Sequence, residues 1–231
     1  MTPKKLHRYY VKIIPSGSPV VLTDPELVHR IVSVMKFSLG ESFIIFTDTG
    51  PDTVVTLHAK DKQSLTVTVE EIIQTPPLPR EVIAAVSITK GSGFELVVQK
   101  LTEIGVTAIV PLVSGRTVKQ AVRTDRLEKI SIEALEQSGG NKKVTLHEPM
   151  TLSECFEKFP FFSILCDAHD STSTMTIPDT VVLYVGPEGG WSESDHEVFN
   201  SHTLHHLKLG DKILRTETAA IIGAHTLLWH S

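Results

Sequence analysis

Two short stretches of this chain concentrate residue types that can do chemistry. The first is Val185-Gly186-Pro187-Glu188-Gly189-Gly190-Trp191, directly after the apolar run Val181-Val182-Leu183-Tyr184-Val185. The second is Leu209-Gly210-Asp211-Lys212-Ile213-Leu214-Arg215-Thr216-Glu217-Thr218-Ala219, which carries a strand end straight into a helix. Three glycines in five residues let backbone approach a ligand where side chains would block it, although a tight turn uses glycine in the same way. Arg215 is a cation suited to stabilising developing negative charge. Its alternative is a structural ion pair with Glu188 or Glu217. Those two carboxylates are candidate proton acceptors, and spacing does not choose between them. Thr216 and Thr218 either bind a ligand through their hydroxyls or cap the helix, with capping favoured for one of them.

The elements that must position these groups follow from periodicity. The run before Gly186 reads as a buried strand, and loops at strand carboxyl ends are where open α/β sheets bind ligands. From Glu81 onward the pattern alternates. Strands are expected at Glu81–Ile88, Val106–Val113, Phe161–Cys166, Val181–Val185 and His205–Leu209. Helices are expected through Phe94, Val97, Val98, Leu101 and Ile104, stopped by Gly105, and from Arg126 to about Ser138. Thr151-x-x-Glu154 and Ser192-x-x-Asp195 read as capping boxes opening two more. The last helix, Ile213–Trp229, is apolar on most sides, which implies burial in the fold or against a partner. This alternation predicts a parallel α/β sheet.

Upstream of the proline cluster Gln74-Thr75-Pro76-Pro77-Leu78-Pro79-Arg80 the chain is β-rich, with strands at Tyr9–Ile14, Ser42–Thr47, Thr53–Ala59 and Ser64–Ile72. One helix, Pro25 to about Lys36, starts behind Asp24 as N-cap with proline at its first position. A small barrel with one helix fits, and the expected organisation is 1–73, a linker at 74–80, and 81–231.

Composition excludes several classes. Apolar content of 41% and charged content of 21% over 231 residues are those of a soluble globular protein. No apolar run approaches the ~20 residues of a membrane span. Cys155 and Cys166 match no metal spacing, so a reducing cytoplasm is the expected location. Among the eleven histidines, His205 and His206 point to opposite faces of a strand, and no metallohydrolase spacing occurs, so no metal is expected. A Ser-His-Asp reading lacks a nucleophile elbow. The net charge of −5 argues mildly against nucleic acid, but Lys4, Lys5, Arg8 and Lys12 leave the first twelve residues basic with no acid.

GPEGG followed by LG-x-x-ILRTETA resembles the C-terminal signature of the RsmE family, SPOUT-class methyltransferases of small-subunit ribosomal RNA. Lys90 with Glu95-Leu96-Val97-Val98-Gln99-Lys100-Leu101-Thr102-Glu103-Ile104-Gly105-Val106 is similar to a further family segment. So are Pro111 with Ser114 and Arg116, Glu136-Gln137-Ser138-Gly139, and His7-Arg8-Tyr9-Tyr10. The resemblance spans nearly the whole chain. It implies a PUA-like RNA-binding β-barrel at the N-terminus and a SPOUT-type α/β domain with a deep trefoil knot, an exception to the rule against threaded chains. It also implies a homodimer whose active sites draw on both chains.

The implied activity is methyl transfer from S-adenosyl-L-methionine to N3 of a uridine in 16S ribosomal RNA of the assembled 30S subunit. In that reading Gly186, Pro187, Glu188, Gly189, Gly190, Leu209 and Gly210 cradle the cofactor. Ile213 and Leu214 wall the adenine, Leu165 and Cys166 line the neighbouring strand end, and Thr216 and Thr218 complete the site. Arg215, Glu217 and Glu188 are the catalytic candidates, and Arg8, Lys90 and Arg116 the RNA contacts. Lys90, Glu95, Gln99, Lys100 and Glu103 equally read as a salt-bridged polar face. The chain departs from the family where Gly93 and Gly140 replace arginines and where Asp211-Lys212 replace proline-arginine. Lysine and glycine do not reproduce a planar guanidinium fork, which places the RNA target in question. The alternatives are another RNA target or a relative that binds RNA without catalysis.

Overall fold

Alternating apolar and hydroxyl residues build the first sheet. A computed structural model describes residues 6–48, 50–117, 122–140, 142–166 and 176–229; Lys4 and Lys5 of the basic N-terminus lie outside them. The chain divides into two units, residues 1–77 with 135–143, and residues 78–134 with 144–231.

In the first unit, β1 (Arg8–Tyr10), β2 (Val20–Leu22), β3 (Ser42–Phe46), β4 (Asp52–Lys60) and β5 (Leu65–Ile73) form a sheet in the order β1-β3-β4-β5-β2. Only β1 and β3 pair in parallel. The sheet is a curled half-barrel whose order ends at β1 and β2. Leu65 and Val67 face the core, but the alternation lapses at Val69, which is exposed. The core is aromatic: Tyr9 and Phe37 meet Phe43 edge-on at 5.7 and 5.4 Å. α1 (Pro25–His29) begins as expected, with Asp24 accepting from the Leu27 amide and Pro25 in the first turn. It then widens into a π-turn, Arg30–Val34, which buries Ile31.

The second unit is a three-layer α/β/α sandwich. β6 (Glu81–Ser87), β7 (Ala108–Val113), β8 (Thr145–Leu146), β10 (Phe162–Cys166), β11 (Thr180–Val185) and β12 (Leu204–Leu207) lie in the order β12-β10-β11-β6-β7-β8, with β9 (Met150–Thr151) beside β7. Every pairing is parallel. Strand residues alternate between two cores. Val82, Ala84, Val86, Leu183 and Val185 face α2 (Gly93–Ile104) and α6 (Thr216–Trp229). Ile83, Ala85, Val182 and Tyr184 face α4 (Leu152–Lys158) and α5 (Glu193–Asn200).

Local signals set the helix ends. Gly105 takes a left-handed conformation, φ 100°, and closes α2 with its amide bonded to Leu101 and Thr102. Both capping boxes form, Thr151 with Glu154 and Ser192 with Asp195. α3 spans Thr124–Ser138. α6 comes close to the sheet because Gly223 has no side chain; a Cβ there would lie 3.0 Å from Cys166 Sγ and 3.2 Å from Leu183.

The chain leaves β6 toward β7 and β8 on one side, while β11 and β10 lie on the other. The order therefore reverses between β6 and β11. That reversal opens a crevice at the carboxyl ends of the strands.

Candidate functional site at the sheet's carboxyl edge

A cavity of about 340 Å³ opens where β10 and β11 end. Cys166 and Val185 close its base, the Gly186–Trp191 loop and the Leu209–Leu214 loop form two walls, and Thr216 and Ala219 present the first turn of α6. The two loops are tied together, because the Thr216 hydroxyl donates to the Gly186 carbonyl at 2.8 Å. Thr216 is thus a strut between both motifs rather than the helix cap expected of one threonine.

Each loop shows why it needs glycine. A Cβ on Gly186 would lie 2.9–3.2 Å from the Trp191 indole, which packs over that position. Gly190 turns back with φ 72°, its amide bonded to the Pro187 carbonyl at 2.9 Å. Trp191 stands edge-on to Phe199 at 4.8 Å and so anchors the loop in the lower core. Asp195, buried at the start of α5, accepts from Ser192 and from the Gly115 amide at 3.2 Å, fixing the turn after β7 against the same helix.

Most of the cofactor-site residues anticipated from sequence meet in this cavity: Cys166, Gly186, Pro187, Glu188, Gly190, Leu209, Gly210, Ile213, Leu214 and Thr216. Three do not line it. Leu165 points into the opposite core, among Tyr184 and Phe199, because neighbours on a strand face opposite ways. Gly189 turns its carbonyl to Arg116, and Thr218 is exposed on α6. Val185, Trp191, His196, Lys212 and Ala219 line the cavity and were not anticipated. Ala219 sits one turn beyond Thr216 and Trp191 directly follows Gly190, so both had a local signal. His196 had none, since only the packing of α5 brings it in.

The catalytic candidates separate. Glu188 lines the cavity. Arg215 is exposed at the start of α6, outside the lining. Glu217 turns away toward α2, beside Gly93, and its Oε2 is buried with no hydrogen-bond partner among the described residues.

The anticipated RNA contacts also differ from one another. Arg8 is committed inside the first unit. It grips Asp52 with two nitrogens at 2.6 and 3.0 Å, donates to the Leu135 and Gly140 carbonyls, and lies over Phe46 at 4.3 Å. With four hydrogen bonds from its five N–H donors and its side chain 7% exposed, it is a structural pin. Arg116 donates to Gly189 at 2.7 Å and braces the glycine loop. Lys90 is exposed beyond β6. The polar face of α2 carries the pairs Lys100–Glu103, at 2.8 Å, and Glu95–Arg126, at 2.7 Å. Among the described residues no group of His, Cys, Asp or Glu is placed to hold a metal, and no helix is long and apolar enough to cross a membrane.

Fold and site together define a class: a parallel α/β domain with glycine-bearing loops set over a cavity at the carboxyl edge of its sheet. A family model described as an RNA methyltransferase domain matches residues 76–228, and the chain belongs to that family, in its RsmE branch. It is similar to ribosomal RNA small subunit methyltransferase E of Bacillus subtilis, 28% identical over 240 residues that cover 94% of this chain and 93% of that one. The same enzyme of Rickettsia conorii is 26% identical over 227 residues, covering 94% and 93%. A crystal structure of ribosomal RNA small subunit methyltransferase E from Neisseria gonorrhoeae, bound to S-adenosyl methionine, matches with a TM-score of 0.86 at 26% identity over 97% of this chain and 98% of that one.

Proposed function

We propose that this chain methylates N3 of a uridine in 16S ribosomal RNA of the assembled small subunit, with S-adenosyl-L-methionine as methyl donor. The observation that carries the reading is the single cavity built from both motif loops and tied by the Thr216–Gly186 bond.

The cavity fits such a donor. Gly186, Gly190 and Gly210 bring backbone to its surface, Val185, Leu214 and Ala219 offer apolar walls, and Glu188 supplies a negative charge suited to a sulfonium. The donor, when bound, supplies a methyl already made electrophilic by sulfur. The protein's work is therefore alignment and charge. Holding two reactants in line lowers a barrier by roughly 7–11 kcal/mol. Arg215 stands at the mouth of the α6 turn, free to face a uracil carbonyl as negative charge grows there. The N3 proton must leave, and Glu217 and Glu188 are the candidate acceptors.

The half-barrel of the first unit serves as the RNA-holding domain in this reading, with 74–80 as linker and 81–231 as a knotted catalytic domain. Pairing of two chains is supported by Ile222 and Trp229, which are 39% and 54% exposed on α6. A second reading, another RNA target, is favoured by Gly93, which stands where the family resemblance implies an arginine.

Calorimetric titration with S-adenosylmethionine, followed by methyl incorporation into unmodified 30S subunits and naked RNA, tests the proposal. Binding with methylation at one uridine N3 in subunits is expected. Binding with transfer only to other RNA selects the second reading, and no binding overturns both.

A further inference from the structure

A second cavity, about 130 Å³, opens on the other side of the strand-order reversal, over the carboxyl end of β6. β6 and β11 are adjacent and in register, Val86 opposite Val185, so the two cavities lie side by side along one edge. The walls of the second are apolar: Ile88, Phe94, Val122 and Leu127. Its rim carries Arg123 and Arg126.

The fold leaves two groups unsatisfied at this cavity, one in its lining and one beside it across Gly93. Thr89 lines it, is 2% exposed, and its hydroxyl has no partner among the described residues. Glu217 Oε2 is likewise buried and unpartnered. Both side chains crowd the bare face of Gly93, where a Cβ would collide with the Thr89 hydroxyl and Glu217 Oε1. Ser92, preceding α2, makes no side-chain cap, so amides of the first turn remain as donors nearby. Native proteins seldom bury a hydroxyl and a carboxylate oxygen unpaired, because each costs desolvation without return.

We infer that this second cavity takes the nucleobase being methylated, and that Glu217 receives its imide proton. The inference rests on the methyltransferase reading above. A uracil edge presents acceptor, donor, acceptor; Thr89 and the first-turn amides of α2 are donors, and Glu217, beside Thr89 across Gly93, is a carboxylate acceptor. Apolar and aromatic walls suit a flipped-out ring, and the rim arginines, paired to Asp125 and Glu95 in the free chain, are exposed cations that flanking phosphates can share. A bare phosphate is disfavoured inside the cavity, whose lining includes the Glu95 carboxylate. Glu217 takes the N3 proton as the N3–methyl bond forms and the methyl–sulfur bond breaks, with that electron pair remaining on sulfur. Thr216 and Glu217 are consecutive, so the first turn of α6 carries both a wall of the donor cavity and the carboxylate that stands beside Thr89 across Gly93. Gly93 then has a specific use. Its missing side chain leaves room for both polar groups to turn toward a base.

The test is amide NMR of the full chain titrated with millimolar uridine 5′-monophosphate, 3-methyluridine 5′-monophosphate and inorganic phosphate, beside calorimetry with S-adenosylmethionine. Uridine monophosphate is expected to shift Gly91 and Phe94, with the 3-methyl compound at least tenfold weaker. Thr89→Val should lose about tenfold in uridine affinity while S-adenosylmethionine affinity stays within twofold, and Thr89→Ser should recover it. Glu217→Gln, nearly isosteric, serves if Thr89→Val does not fold; it should weaken uridine binding and remove the rise of methylation rate with pH. Equal shifts from inorganic phosphate, or equal binding of the 3-methyl compound, would overturn the inference. If S-adenosylmethionine fails to bind, the methyltransferase reading falls by itself, and the uridine titration still decides what this cavity holds.

Discussion

Two clusters of charged residues in this molecule use the same chemistry to opposite ends. In the first unit, Glu136 is buried and fully engaged: Arg30 meets both its oxygens at 2.9 and 2.7 Å, and the Tyr10 amide adds a third bond at 2.9 Å. Arg8 is locked in the same way to Asp52 and two carbonyls. The hydrogen bonds that Arg30 donates to Glu136, together with the carboxylate's charge, raise the Arg30 guanidinium above its usual range. At the carboxyl edge of the second unit, the Thr89 hydroxyl and Glu217 Oε2 are buried without partners. A charge satisfied on every side holds a fold together and has nothing left to offer a ligand. Polar groups left unsatisfied lower stability, and they are the ones free to bind.

The largest test of that contrast is Glu136→Ala, which removes the acceptor of Arg30 and of the Tyr10 amide and should cost about 1.5–3 kcal/mol in urea unfolding. Glu188→Ala, in the open loop, should stay within about 0.5 kcal/mol. Equal losses would erase the distinction. Next comes Arg215→Ala, expected to reduce methyl transfer by about 10²–10³ with cofactor affinity and stability unchanged. Loss of cofactor binding instead would move Arg215 into the donor site. Gly186→Ala drives a Cβ into the Trp191 indole and should cost about 1–3 kcal/mol, read as a weaker S-adenosylmethionine titration. An unchanged titration would mean that the loop tolerates the displaced indole.

The smallest effect is on pH dependence. Burial pushes the Cys155 thiol up to about 11 and raises the neighbouring Tyr184 phenol as well. The folded chain therefore keeps protons that the unfolded chain gives up from about pH 8.5 upward. Stability present below that pH should decline as pH climbs toward 11. Urea midpoints between pH 7 and 10.5 measure the decline, and Cys155→Ala should flatten it.

Local signals in the chain were legible because their causes are local. Asp24, Gly105, Thr151 and Ser192 each act on amides within a few residues, and all four cap as their neighbours dictate. The glycine loops were legible for the same reason. The fate of Arg8 was not, because its partners lie 44 and 132 residues away. Nor was the return of 135–143 to the first unit, or the entry of His196 into the cavity over β10 and β11.

Periodicity, caps and loop composition, read from the sequence by itself, determined the α/β alternation, the β-rich N-terminal part, and the two loops that build the cavity over β10 and β11. Only the tertiary structure decided that Arg8 is a pin, that Leu165 faces the opposite core, and that Thr216 joins the loops. It alone placed Glu217 beside Thr89 across Gly93. The reason is physical: backbone preference acts over a turn or a strand, whereas a charge or hydroxyl acquires its role from whatever the packed layers bring to its atoms.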